Sequence, residues 1–192
     1  MKLVPASEVS SDQLSEFFRR IPDGEQAFLK ENIRDPETVA AWRRPGAARR
    51  QAAIDETGIF LGVVSVIPEL GWSDHVGQLR LLVDPAHRGH GIGRDLARAA
   101  LLQALEMGLS KVIVEVLADQ QPAINMFTAL GFDPEALLRS HIRDRNGDFH
   151  DLIILAHMVD ENWQAFGATG IDDEIVTLRV RNASPAANER DH

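Results

Sequence analysis

With 192 residues, 44% of them hydrophobic, the chain can fill one core and is expected to form a single domain over 1–160. A net charge of −9 and a pI near 5.2 exclude a general nucleic-acid binder, and the absence of cysteine excludes disulfides, thiolate metal sites and a cysteine nucleophile. No apolar run approaches the roughly 18 residues of a membrane helix, and "MKLVPASEVSSDQLSEFF" lacks the features of a signal peptide, so a reducing cytoplasm and no membrane partner are expected.

In chain order, "SSDQLSEFFRR" (10–20) opens on a serine cap and sets Leu14, Phe17 and Phe18 on one helical face. "DPETVAAWRR" (35–44) is a second short helix, capped by Asp35 with Pro36 in its first turn. Residues 50–68 form a hairpin turning near Glu56-Thr57-Gly58, with β-branched residues crowding its second strand. "VGQLRLLVDP" (76–85) is a strand stopped by Pro85. Helical spacing of Leu96, Ala97, Ala100, Leu101, Ala104 and Leu105 predicts a helix over 94–107, ended by Gly108. "KVIVEVLA" (111–118) is apolar on both faces apart from Glu115, as in a central parallel strand. A helix over 121–130 runs from Pro122 to Gly131, and 136–159 is a long hairpin turned by Asn146-Gly147. Residues 161–180 form an extension that Trp163 could anchor, and the polar, aromatic-free tail 181–192 is expected to be disordered. The order of elements implies an α+β domain with one parallel crossover.

Between the strand at 76–85 and the helix after it lies Arg88-Gly89-His90-Gly91-Ile92-Gly93-Arg94. N–H groups at a helix N-terminus lack intrahelical partners and sit at the positive end of the dipole, and glycines let an anion approach them closely. A Walker loop requires Gly-Lys-Ser/Thr, whereas Gly93 is followed by Arg94-Asp95. A dinucleotide fingerprint requires a third glycine where Arg94 stands. The pattern R/Q-x-x-G-x-G/A is met by Arg88, Gly91 and Gly93. A tight turn without ligand is the other reading of these residues.

In register with the later "AINMFTALGF", this loop resembles the GNAT superfamily of N-acetyltransferases, over about residues 50 to 158. The resemblance implies an α+β GNAT fold: a central mixed, mostly antiparallel sheet with helices on both faces and a V-shaped splay between the strands at 76–83 and 111–117. It implies acetyl-CoA as cosubstrate and no metal. N–H groups from Arg88 to Arg94 (through Gly89, His90, Gly91, Ile92 and Gly93) would cradle the pyrophosphate. The main chain of Leu81, Leu82 and Val83 would pair with pantetheine as an added strand. Gln120, where the family usually has asparagine, would reach the pantetheine arm; Asn125 and Phe127 complete the cofactor set. An oxyanion would be stabilised by a main-chain N–H near Val83.

Two further departures from that pattern bear on the chemistry. Many members use a tyrosine in the late helix as general acid; this chain has none, and Phe127 stands there. Several protein-lysine acetyltransferases carry a glutamate where Gln78 stands, and an amide accepts no proton at neutral pH. Glu115, the only carboxylate in its apolar strand, is the leading candidate base: burial beside the cleft would raise its pKa. The alternative is a carboxylate paired with a lysine or arginine, and Asp74 and His75 are the next candidates.

His87 and His90 flank the turn at i, i+3, too few ligands for a metal in a loop engaged with phosphate. His141, His150 and His157 lie on the closing hairpin as bonded or exposed strand residues, His150 also as an acceptor contact. Trp72 is either core or a wall of the acceptor pocket, and "WRRPGAARR" (42–50) is an exposed basic loop or a contact to the CoA 3′-phosphate. No lysine or arginine occurs from Asn146 to Leu178, so either an acidic mouth draws in a cationic amine or the acidic residues are plain solvated surface.

Taken together, the expected function is acyl-CoA-dependent N-acyl transfer to a primary amine of a small molecule or a protein lysine, by direct attack. The resemblance also allows a homodimer. The alternative is a non-catalytic acyl-CoA-binding sensor or partner module, which Gln78 and Phe127 favour.

Overall fold

The computed structural model describes residues 1–26, 29–44 and 46–159; the expected extension over 161–180, its Trp163 and the tail over 181–192 lie outside them. The elements are β1 (Lys2–Pro5), α1 (Ser11–Arg20), α2 (Asp23–Gln26), α3 (Pro36–Arg43), β2 (Arg49–Ile54) and β3 (Phe60–Pro68). They continue with β4 (Val76–Val83), α4 (Ile92–Glu106), β5 (Lys111–Leu117), α5 (Gln121–Thr128), β6 (Asp133–Arg143) and β7 (Phe149–Met158). All seven strands form one sheet in the order β1-β2-β3-β4-β5-β7-β6. Among the described strands only β4 and β5 pair in parallel, joined through α4. This is the mixed, mostly antiparallel sheet the sequence implies.

Local chemistry sets the element ends. Ser10 and Gln13 form a reciprocal capping box at α1, each side chain bonding the other's main-chain N–H at 3.1 Å. The Asp35 carboxylate accepts the N–H groups of Glu37 and Thr38 ahead of α3. Asp55 accepts those of Thr57 and Ile59, each at 2.8 Å, and closes the β2–β3 turn. The helix expected over 94–107 begins two residues earlier, at Ile92, because the left-handed Gly91 already serves as its N-cap. The short edge strand β1 has no local sequence signal, since only Val4 of its four residues is buried.

Each face of the sheet carries a core. Leu96, Ala97, Ala100, Leu101 and Ala104 of α4 pack on Val64, Leu79, Val112 and Val114, with Phe127 and Phe132 closing the α5 end. On the opposite face Leu14, Phe17, Phe18, Val39 and Trp42 cover Ala52 and Val63. There the Phe18 ring meets Trp42 edge-on at 5.1 Å between centroids. At the outer edge, the β6–β7 ladder breaks between Leu138↔Leu152 and Ile142↔His150, leaving Arg139, Ser140 and His141 against Asp151 alone. Ser140 sits at φ 49°, and its N–H donates to the Asp151 carboxylate at 2.7 Å. Trp72 is not part of either core: it is 96% exposed in the turn Gly71–Ser73 between β3 and β4.

Candidate active site

The sheet opens where β4 and β5 part. Their pairs run from Val76↔Lys111 to Leu79↔Val114. Beyond these, β4 continues to Val83 against β3 and β5 continues to Leu117 against β7. The main chain of Arg80–Val83 therefore has no strand on its β5 side among the described residues. Leu81 and Val83 pack toward the α4 core and Leu82 toward the α1–α3 core, so the open edge is held from both faces. The expected pantetheine contacts Leu81, Leu82 and Val83 all lie on this edge, where an extended ligand can add main-chain hydrogen bonds.

The glycine loop follows directly. Asp84 is 2% exposed and accepts Arg20 Nε at 2.6 Å and the Ala86 N–H at 2.9 Å. Burial alone would raise its carboxyl pKa; the Ala86 N–H and Arg20 outweigh it and hold the group below the usual range. A short turn, Pro85–His87, leads to Gly89 at φ 79° and Gly91 at φ 85°. A Cβ at either glycine would meet nothing within 4 Å, so the loop is an open cradle. No side chain caps α4, and its first ladder bond joins the Asp95 N–H to the Gly91 carbonyl. The N–H groups of Ile92, Gly93 and Arg94 are thus left at the positive end of a 15-residue helix. Gly93 is bare for another reason. A Cβ there would come within 3.2 Å of Met126 Sδ, so its absence lets α4 approach α5. The loop fits an anionic, extended ligand such as CoA.

The loop's side chains are arranged unequally. Arg88 donates to the Val83 carbonyl at 3.3 Å and clamps the Glu25 carboxylate at 2.9 and 2.5 Å, which raises its pKa further. Arg94 and His90 are exposed, and His87 Nδ1 lies 3.6 Å from Asp84. Among the described residues, no group of histidine and carboxylate side chains gathers in the manner of a metal site. Gln120 is the exposed N-cap of α5, and Asn125, one turn on, accepts from Gln121 at 2.8 Å. Phe127 is 3% exposed with its ring edge-on to Phe132 at 5.2 Å, so its contacts here are with the core.

Register puts the proton-transfer candidates on one face. Gln78 pairs with Ile113, so Gln78, Arg80 and Glu115 all project to the α1–α3 side of the sheet. Gln78 is 6% exposed, and its carbonyl oxygen accepts from Arg80 Nε and Nη2 at 3.2 and 3.0 Å. Arg80 in turn binds Glu31 at 2.6 Å, and Glu31 also accepts from Trp42 Nε1. Arg50 lies over the Trp42 ring at 5.2 Å; burial lowers its pKa, Glu31 opposes the shift and Arg80 adds to it. The expectation of a buried Glu115 meets a different geometry: its side chain is 23% exposed and accepts from Lys30 Nζ at 2.8 Å. Asp74 and His75 stand in the exposed β3–β4 connection, 4.0 Å apart.

Lys30, Glu31 and Arg80 went unmarked in the sequence. Arg80 offered a signal, a lone charge in "LRLLV" comparable to Glu115 in its own strand. Lys30 offered none, since it meets Glu115 across 85 residues of chain. Arg43, from the basic stretch 42–50, is tied to the Val9 carbonyl and Ser11 Oγ at 2.7 and 2.8 Å rather than free to reach a ligand.

The acetyltransferase (GNAT) family model matches residues 11–132. Over 112 residues the chain is 33% identical to the mycothiol acetyltransferase of Nocardia farcinica, covering 52% of this chain and 37% of that protein. It is 32% identical over 78 residues to human N-acetyltransferase 8B, covering 41% and 34% respectively. Among solved structures, the ribosomal-protein-alanine N-acetyltransferase of Brucella melitensis superposes with a TM-score of 0.71 at 21% identity, over 82% of this chain and 99% of that one. A mutant spermidine N-acetyltransferase of Vibrio cholerae gives 0.69 at 17% identity, over 85% and 98%. These superpositions establish a shared fold, and the chain spans 37% of the length of the Nocardia relative. The chain belongs to the acetyltransferase (GNAT) family.

Proposed function

We propose that this GNAT-family chain transfers an acetyl group from acetyl-CoA to a primary amine by direct attack. The observation that carries the reading is the parting of β4 and β5 after Leu79 and Val114, beside the uncapped start of α4. The N–H groups of Ile92, Gly93 and Arg94, with the open cradle at Gly89 and Gly91, would hold the pyrophosphate. The free edge of Leu81–Val83 would hold the pantetheine, with Gln120 and Asn125 at the α5 start beside it. Acetyl-CoA supplies an activated thioester: the amine nitrogen bonds its carbonyl carbon, the C–S bond breaks, and CoA leaves as a thiolate that is then protonated. Glu115 takes the proton that the acceptor ammonium must lose. A main-chain N–H near Val83 stabilises the tetrahedral oxyanion.

A specific observation favours the second reading, a non-catalytic acyl-CoA-binding module: Lys30 already neutralises Glu115, and Arg80 already occupies the Gln78 carbonyl. Calorimetric titration with acetyl-CoA, CoA, NAD and ATP, followed by an amine screen read by thiol release, separates the two. Binding of the CoA species with turnover of an amine supports transfer. Binding with no turnover supports the module, and no CoA binding removes both.

A further inference from the structure

Beside Glu115 lies an open cavity of about 410 Å³ between residues 29–33 and the β6–β7 turn, lined in part by Lys30, Glu31, Arg143, Asp144 and Arg145. Its carboxylates are already engaged: Glu31 with Arg80 and Trp42, Asp144 with His150 and with the N–H groups of Asn146 and Asp148. Its cations are not equally matched. Among the described residues no carboxylate pairs with Arg143 or Arg145, and both are exposed. Lys30, on the cavity wall, places its ammonium 2.8 Å from Glu115.

We infer that the acceptor amine carries its own carboxylate, which Arg143, Arg145 and Lys30 hold in this cavity while the amine reaches Glu115. The inference rests on the acetyl-transfer reading of the neighbouring site. Such a zwitterion can exchange partners with the resident ion pair: Glu115 gives up Lys30 for the ammonium, and Lys30 gives up Glu115 for the carboxylate. Both charges of the pair stay compensated, and the base is freed only when an acceptor is present. A purely cationic polyamine would compete with Lys30 for Glu115 and leave it unpaired beside two arginines, a like-charge arrangement that disfavours that ligand. Among the described residues, the uncommitted charges of this cavity are positive.

The test uses the full chain saturated with CoA, titrated calorimetrically with the common L-amino acids, β-alanine, 4-aminobutyrate and 6-aminohexanoate, each beside its carboxamide, and with spermidine. The expected result is that at least one acid binds about tenfold or more tightly than its carboxamide. The doubly substituted Arg143→Ala, Arg145→Ala chain should lose that preference while its CoA affinity is unchanged. Acid and carboxamide binding alike, no acid binding at all, or tightest binding by spermidine would overturn the inference. The two readings fail separately. An acid that binds selectively but is not acetylated from acetyl-CoA leaves the carboxylate subsite standing and sinks the transfer reading. Acetylation of spermidine with no preference for acids does the reverse.

Discussion

Two side chains carry the testable chemistry at the residue scale. Glu115 joins β5 to the segment before α3 through Lys30 and is the carboxylate closest in register to the parting of the strands. Glu115→Gln keeps the size and the contact but removes the proton acceptor. Turnover of any accepted amine should fall by about 100-fold or more with acetyl-CoA affinity unchanged, and turnover close to that of the unaltered chain would assign the proton to another group. His157 reports on folding instead. It is 2% exposed, its Nδ1 lies 2.8 Å from the Gly131 carbonyl, and its ring packs on Phe132. Burial pushes its pKa below 6.5, against the raising effects of Gly131 and Asp133. As pH falls through 6.5 the unfolded chain takes up a proton before the folded one, so this contribution to stability is complete above that value and declines below it. Melting temperatures between pH 7.5 and 5 should fall less steeply in His157→Gln, and parallel curves would exclude His157 as the source. Neither role follows from local sequence. Glu115 stood out as a lone carboxylate in its strand, but its partner is brought in by tertiary packing.

At the scale of elements, the turn from β4 into α4 was legible because its requirements are local: a proline stop, glycines at positive φ, and a helix with no capping side chain. Gly91 is the sharpest case. At φ 85° a β-branched residue is strained, by about 1–2 kcal/mol, and its side chain would enter the open cradle. Gly91→Val should remove measurable CoA binding while the far-ultraviolet circular dichroism spectrum persists; unchanged affinity would take the loop out of the site. The parting of β4 from β5 was legible only through the family resemblance. Nothing in "LRLLV" or "IVEVL" says where pairing ends, because the end depends on what each strand meets on its other side. The edge strand β1 and the single turn of α2 escaped notice for the same reason, being short and defined by their neighbours.

On the scale of the whole molecule, the two cores meet back to back through the sheet, and at Gly62 a side chain would press on main chain. A Cβ there would lie 2.8 Å from the Leu82 carbonyl and 2.9 Å from Leu96 Cδ1, and the carbonyl cannot swing aside. Gly62→Ala should therefore cost about 1–3 kcal/mol, read as a lower midpoint in urea. A midpoint equal to that of the unaltered chain would mean that the sheet yields there. The helical periodicity of α4 foretold the core on its side, whereas the polar cluster of Glu31, Arg80 and Gln78 on the other side emerges only once the register is known. The same sheet must also end somewhere. A straight outermost strand is a template on which another copy can polymerise, amide by amide. Here the run of β6 is interrupted at Ser140, whose backbone turns into the left-handed region and gives its N–H to Asp151. This edge is thereby a terminus in the growth sense, and edge-on stacking of copies along β6 meets only short, discontinuous stretches.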